Sequence, residues 1–190
     1  IRPDGSFDES VLRSAGRPAE YAHVEIMDDE GNILPRGQRG EIVVRISSQM
    51  TGYYKNPEAT SEVSQHGFHH TTDIGIMDEA GFITIVDRKK DMIVSGGFNI
   101  FPSEIEKVIY ELPGVLDCVV VGVPHEKWGE AVKAVVQLKA GQRSSEEEVQ
   151  AHCRAQLGGM KTPKSVEFWE ELPRSAVGKL LRRVVRDKYW

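Results

Sequence analysis

The stretch Asp87-Arg88-Lys89-Lys90-Asp91-Met92-Ile93-Val94-Ser95-Gly96-Gly97-Phe98-Asn99-Ile100-Phe101-Pro102-Ser103-Glu104-Ile105-Glu106 decides how this chain is divided. It reads as strand, charged break, strand, glycine turn and helix. The unbroken charged run from Asp87 to Asp91 cannot enter a core without partners, so it marks a surface or a seam between domains. Ser95-Gly96-Gly97 permits the positive φ of a tight turn and lets another backbone or a thin ligand approach closely. Ser103 and Glu106 have capping-box spacing, which predicts a helix from Ser103 to Leu112 with Ile105, Val108, Ile109 and Leu112 on its apolar face.

Upstream of the break the pattern is mostly strand. Ala22 to Met27 alternates, residues 28–32 read as a turn, and Glu41 to Ile46 forms a second apolar run. Asn56 and Pro57 open a short helix. Residues 74–77 and 82–86 flank Asp78-Glu79-Ala80-Gly81 as a hairpin. Downstream, helix and strand mix: strands at Val115 to Val121 and Ala131 to Leu138, then a helix capped by Ser144 or Ser145 that runs to about Leu157. A strand at Val166 to Trp169 and a basic helix from Leu180 to Lys188 complete the pattern. The fold class is α+β.

Composition narrows the function classes. A chain of 190 residues is long enough for one medium or two small domains, and 39% hydrophobic residues suit a globular protein. A net charge of -5 argues against a nucleic-acid partner. No apolar run approaches the roughly 18 residues that would read as a membrane span, and no secretory leader is visible. Cys118 and Cys153 lack metal spacing and read as buried thiols in a reducing cytoplasm. Opening on Ile1, the chain reads as a piece of a longer one.

The string D-R-K-K-D-M-I-x-S-G-G-x-N-I-x-P-S-E-I-E resembles the hinge motif of the adenylate-forming enzymes, and Pro173-Arg174-Ser175-Ala176-Val177-Gly178-Lys179 resembles a second motif of that family. The Ser95-to-Pro102 loop is most similar to fatty-acyl and aryl-CoA ligases. The resemblance implies that residues 1–87 are the β-rich end of a large AMP-binding domain, 88–90 a hinge, and 91–190 a small mobile domain. It implies an ATP-dependent acyl-CoA synthetase joining a carboxylic acid, expected to be a fatty acid, first to AMP and then to CoA. The phosphate loop, the acyl pocket and the carboxylate that holds Mg2+ would lie upstream, so this piece alone is expected to be inactive.

Site residues follow from the same resemblance. Lys179 would bridge the substrate carboxylate and phosphate oxygens, where a fixed cation offsets the repulsion of two anions; its bland alternative is a solvated lysine beside Arg182 and Arg183. Asp73, in Thr71-Thr72-Asp73, would bind both ribose hydroxyls of ATP, since one carboxylate accepts from two vicinal donors. Thr72 stands where the family usually has glycine, which implies strain if that position takes positive φ. Arg88 would contact ribose or phosphate, and Lys90 would be the pivot. Gly96, Gly97 and Trp128 would face CoA, with Lys161 and Lys164 near its phosphates; Trp128 reads equally well as a small-core residue.

His66, His69 and His70 lack recognised zinc spacing and read as a polar strand edge, so no metal site is assigned. Lys179 also has the context in which bacterial members of the family are acylated, which implies a protein lysine acetyltransferase as a partner. The alternatives are a peptide-synthetase adenylation domain and a non-catalytic module binding CoA or a partner. The ending at Trp190, with no carrier domain after it, favours the free-CoA ligase.

Overall fold

The computed structural model describes residues 9–190, which divide after Lys90 into two compact units. The first contains α1 (Glu9–Leu12), β1 (Ala22–Met27), β2 (Arg39–Ile46), α2 (Pro57–Val63), β3 (Ser64–Gln65), β4 (Phe68–Met77) and β5 (Ile83–Arg88). Its strands form one antiparallel sheet in the order β1-β2-β4-β3, with β5 pairing the C-terminal half of β4. Neighbouring residues on a strand point to opposite faces. Ile26 packs with Ile42, Met77 and Ile83, whereas Met27 packs with Val43 and Phe68, so both faces carry buried side chains.

Turn and cap chemistry matches these elements. Asn56 caps α2 by accepting from the Ala59 N–H at 3.0 Å, and Pro57 takes the first turn, where its missing donor costs nothing. Asp28 closes the turn after β1 by accepting from the backbone of Glu30 and Asn32. β4 starts earlier than the hydrophobic pattern predicts: His69 and His70, read as a polar edge, are half-buried inside it.

β4 contains a bulge. Glu41 faces Ile74 and Val43 faces His70, so Thr71, Thr72 and Asp73 stand opposite Ile42. Thr72 takes φ 62°, a conformation that is a genuine outlier for a β-branched residue.

The second unit contains β6 (Ile93–Ser95), β7 (Phe98–Ile100), α3 (Pro102–Ile109), β8 (Val115–His125), β9 (Gly129–Leu138), α4 (Glu146–Lys161), β10 (Ser165–Phe168) and α5 (Arg182–Arg186). β9 is central: β8 pairs with it antiparallel along ten positions from Val115 to His125, β10 pairs parallel, and β6 joins at Ser95–Gly129. Alternation again builds two cores. Cys118, Val120, Val132, Ala134 and Val136 meet Ile105 and Ile109 of α3 and Val149 and Cys153 of α4. Val119, Val121 and Val135 meet Leu172 and Val185 of α5.

Two helix starts differ in an instructive way. Ser145 forms the full capping box with Glu148, and α4 leaves helical geometry at Gly158, directly after Leu157. Ser103, expected to cap α3, lies inside the helix instead. Pro102 occupies the first turn of α3, which moves the cap back to Phe101, and Glu106 turns instead to Arg182 and the Val120 N–H.

The Thr72 backbone generates a stability prediction. Its side chain is exposed, so Thr72→Gly removes strain without removing packing. Strain of about 1–2 kcal/mol set against about 0.5–1 kcal/mol of added glycine entropy gives an expected gain of up to about 1.5 kcal/mol, centred just below ~1 kcal/mol. Urea unfolding measures it; a loss of stability would mean that the threonine is held there favourably.

Candidate functional site

In the first unit, β4 and β5 bring Asp73 and Arg88 together as cross-strand neighbours. Arg88 Nε lies 3.6 Å from Asp73 Oδ1, with side chains 62% and 33% exposed, so the carboxylate is oriented yet open to a ligand. The Thr71 hydroxyl accepts from the Asp73 N–H at 3.1 Å and donates to the Ile42 carbonyl at 2.7 Å, fixing the bulge from its inner side. Asp87, at the start of the charged run expected at a surface or seam, is buried, and its carboxylate accepts from the Arg88 N–H at 2.8 Å.

The bulge is held by Glu41, whose side chain is 5% exposed. One oxygen accepts from the Thr72 N–H at 3.0 Å; the other meets His70 Nδ1 at 3.0 Å and Lys89 Nζ at 3.0 Å. Lys89 also pairs with Asp29 at 2.6 Å. Burial pushes the Glu41 carboxyl up, but the bonds from His70 and Lys89, the lysine charge and the Thr72 N–H outweigh it, and the net shift is below the ordinary 4.5. For Lys89, burial pulls the ammonium down, while Asp29 and Glu41 more than offset it, raising it above the ordinary 10.5.

In the second unit, Gly96 (φ 59°) and Gly97 (φ 83°) form the two-residue turn between β6 and β7, where both positions need positive φ. The Gly96 N–H donates to the Trp128 carbonyl at 2.9 Å. Trp128 is half-buried; it stacks on His125 with ring centroids 4.3 Å apart, and Lys164 Nζ lies 5.5 Å from its ring. The structure thus joins Gly96, Trp128 and Lys164 in one corner. Lys161 is instead paired with Glu104 at 2.5 Å.

Lys179 is exposed at the end of a tight hairpin. The Ser175 N–H donates to the Lys179 carbonyl at 2.8 Å and the Gly178 N–H to the Ser175 carbonyl at 2.8 Å, and Arg174 bridges to Leu180. Beyond the loop, Arg182 Nη2 grips both Glu106 oxygens at 2.7 Å and Nη1 reaches Asp91 at 3.3 Å. Lys90 lies exposed in a single 3-10 turn, Lys89–Asp91. Among the described residues no group of three or more His, Cys, Asp or Glu is arranged to hold a metal ion, magnesium included.

Two kinds of family model match the sequence: "AMP-binding enzyme" over residues 2–54 and "AMP-binding enzyme C-terminal domain" over residues 104–179. The chain belongs to the AMP-binding enzyme family. It is 49% identical over 92% of its length to a long-chain-fatty-acid–CoA ligase of Escherichia coli O6:H1, and 45% identical over 94% to a feruloyl-CoA synthase of Amycolatopsis. Among solved structures, ATP-bound MatB from Rhodopseudomonas palustris matches 93% of the chain with a TM-score of 0.87 and 37% identity. The chain spans about a third of these AMP-binding relatives: 31% of the fatty-acid ligase, 36% of the feruloyl-CoA synthase and 36% of MatB.

Sequence reasoning missed Glu41, and with it the tie between the bulge and Lys89. The available signal was an acid opening the apolar run Ile42-Val43-Val44, where no solvated turn explains it. The network generates a pH prediction. Because Glu41 is depressed when folded, its stabilisation is present above pH 4.5 and lost as pH falls through the folded value; that of Lys89 is present below 10.5 and lost as pH rises through its raised value. Lys89 is 36% exposed, so water screens its share. Glu41→Gln is expected to cost about 1–3 kcal/mol near neutral pH, and the gap to the parent should close in acid. Urea unfolding across that range checks it; a gap independent of pH would show that charge is not the cause.

Proposed function

We propose that the complete protein carrying this chain is an ATP-dependent acyl-CoA synthetase with a fatty acid as its expected substrate. The observation that carries the reading is the closed hairpin ending in an exposed Lys179, which offers a fixed cation on a turn with little freedom. A carboxylate oxygen attacks the α-phosphorus of ATP, the bond to the β-phosphate breaks, and pyrophosphate leaves. Lys179 stabilises the charge gathered on the phosphorus. Asp73 accepts from the ribose hydroxyls, and Arg88 orients Asp73 and meets ribose or phosphate. The CoA thiolate then attacks the acyl carbonyl, the mixed-anhydride bond breaks, and AMP leaves.

The domain assignment belongs to the same proposal: 1–87 as the end of the large domain, 88–90 as hinge with Lys90 as pivot, and 91–190 as the mobile domain. The Gly96-Gly97 turn and Trp128 form the face for CoA, a role supported by their contact and by Lys164 beside them. The two relatives named above act with CoA on different acids, which favours CoA over a carrier protein and leaves the acid to assay. Two buried free cysteines suit a reducing compartment, in keeping with the cytoplasm. No helix among the described residues is long and apolar enough to cross a membrane.

AMP release with ATP, magnesium, CoA and a panel of carboxylic acids tests the reading. Acid- and CoA-dependent AMP is expected, and Lys179→Ala should lower adenylate formation by on the order of 10²–10³. Pyrophosphate exchange without CoA-dependent AMP would instead indicate a carrier-protein acceptor. Exposure of Lys179 also fits it as a target of a lysine acetyltransferase, since acetylation removes the charge. Mass spectrometry after such treatment should find Lys179 modified and adenylation lost; an unmodified Lys179 would sink this idea.

A further inference from the structure

The hairpin that ends in Lys179 cannot hold itself. Its internal bonds lie at the surface, where each contributes about 0.5–1.5 kcal/mol, and an isolated two-stranded turn is marginal in water. The structure supplies an anchor from an unexpected place. Asp117 sits on β8 between Leu116 and Cys118, with its side chain 14% exposed. A carboxylate in an apolar strand needs donors, and Asp117 has them on both oxygens. Oδ1 accepts from the Cys118 N–H at 3.0 Å and from the hydroxyl of Tyr110, just after α3; Oδ2 pairs with Arg174 Nη2. Burial and the neighbouring carboxylate push the Tyr110 phenol up, so it remains a donor at neutral pH.

Arg174 carries the anchor into the loop. Its Nη1 donates to the Gly178 carbonyl at 3.1 Å, and the Lys179 N–H donates to the Ser175 hydroxyl at 3.1 Å. The carbonyl and the N–H belong to the same peptide group. The plane that sets the direction of the Lys179 side chain is therefore gripped at both ends. A second tie lies beside the first: Gln137, the cross-strand partner of Asp117, accepts from the Leu172 N–H at 3.2 Å. Adjacent residues on β8 and β9 thus hold both Leu172 and Arg174, at the entry to the loop.

We infer that Asp117, with Tyr110 and Arg174, is a positioning residue for adenylate formation, clamping the Gly178–Lys179 peptide so that the lysine is presented in one orientation. The inference rests on the proposed role of Lys179 and extends it to residues outside the reacting set. A misplacement of about 1 Å is enough to cost on the order of 10²-fold in rate. The clamp acts only on the half-reaction that uses Lys179.

The test uses the complete protein and separates the half-reactions: adenylation by pyrophosphate exchange, and thioester formation from a supplied acyl-adenylate and CoA. Hydrogen exchange by mass spectrometry follows the Ser175, Gly178 and Lys179 amides against those of β8 and β9. Arg174→Lys keeps the charge but cannot bridge Asp117 and Gly178 together. It is expected to lower adenylation by on the order of 10²-fold, spare thioester formation, and speed exchange in the loop alone. Asp117→Asn should move the same readouts in the same direction, and Tyr110→Phe, which removes one hydroxyl from a half-exposed ring, should do so more weakly.

Unchanged adenylation in Arg174→Lys, or unchanged loop exchange, would overturn the clamp. So would an equal loss of both half-reactions with faster exchange throughout β8 and β9, the mark of general destabilisation. If the unsubstituted protein formed no adenylate, the functional reading itself would fall. That failure is distinct from one in which the parent is active and the variants match it.

Discussion

A carboxylate set into an apolar strand costs several kcal/mol unless donors surround it, and both units are organised by this constraint. Glu41 in β2 gathers His70, Lys89 and the Thr72 N–H; Asp117 in β8 gathers Tyr110, Arg174 and the Cys118 N–H. In each case the donors come from segments that carry proposed functional groups. Thr72 precedes Asp73, Lys89 precedes Lys90, and Arg174 leads the loop to Lys179. Glu106 repeats the device, gripping Arg182 beyond that loop and the Val120 N–H of the sheet.

This arrangement explains how surface groups can be exact in position without being buried. Asp73 and Lys179, which we propose meet a ligand, keep their own side chains open to solvent. Their backbone N–H groups are held by the Thr71 and Ser175 hydroxyls, and their loop neighbours Thr72 and Arg174 are tied to carboxylates rooted in the sheets. The left-handed Thr72 is the cost: strain of about 1–2 kcal/mol held in place by the Thr71 hydroxyl and by Glu41. In the second unit the anchors stand on the longest strand pairing of that sheet, β8 with β9, whose valines and alanines other than Val123 are almost fully buried. A rigid pair of strands makes a good base for a clamp.

Much of the fold was legible residue by residue. The strand β1, the Asn56-Pro57 start of α2, the serine cap of α4 and the Gly96-Gly97 turn all act within a few residues, and all stand as read, although β1 buries Ile26 and Met27 side by side rather than alternating. The capping box expected at Ser103 was local too, yet Pro102 claimed the first turn, and Glu106 found stronger partners in Arg182 and Val120. Trp128 read equally well as a binding-surface or a small-core residue; in the structure it is half-buried and His125 covers one face of its ring. Within the candidate sites, the motif residues were legible and their supports were not.

The amino-acid sequence alone determined the division at the charged run, the α+β class, most elements of both units and the motifs that carry the proposed site residues Asp73, Arg88 and Lys179. Periodicity, caps and turns are set by neighbours three or four residues apart, so they can be read along the chain. Only the tertiary structure decided that Glu41 holds Thr72 across 31 residues and that Asp117 holds Arg174 across 57. Those pairings depend on strand register and on a bulge that places an acid opposite a strained backbone. No local pattern encodes them, because the donors meet their acceptors only after the sheets have formed.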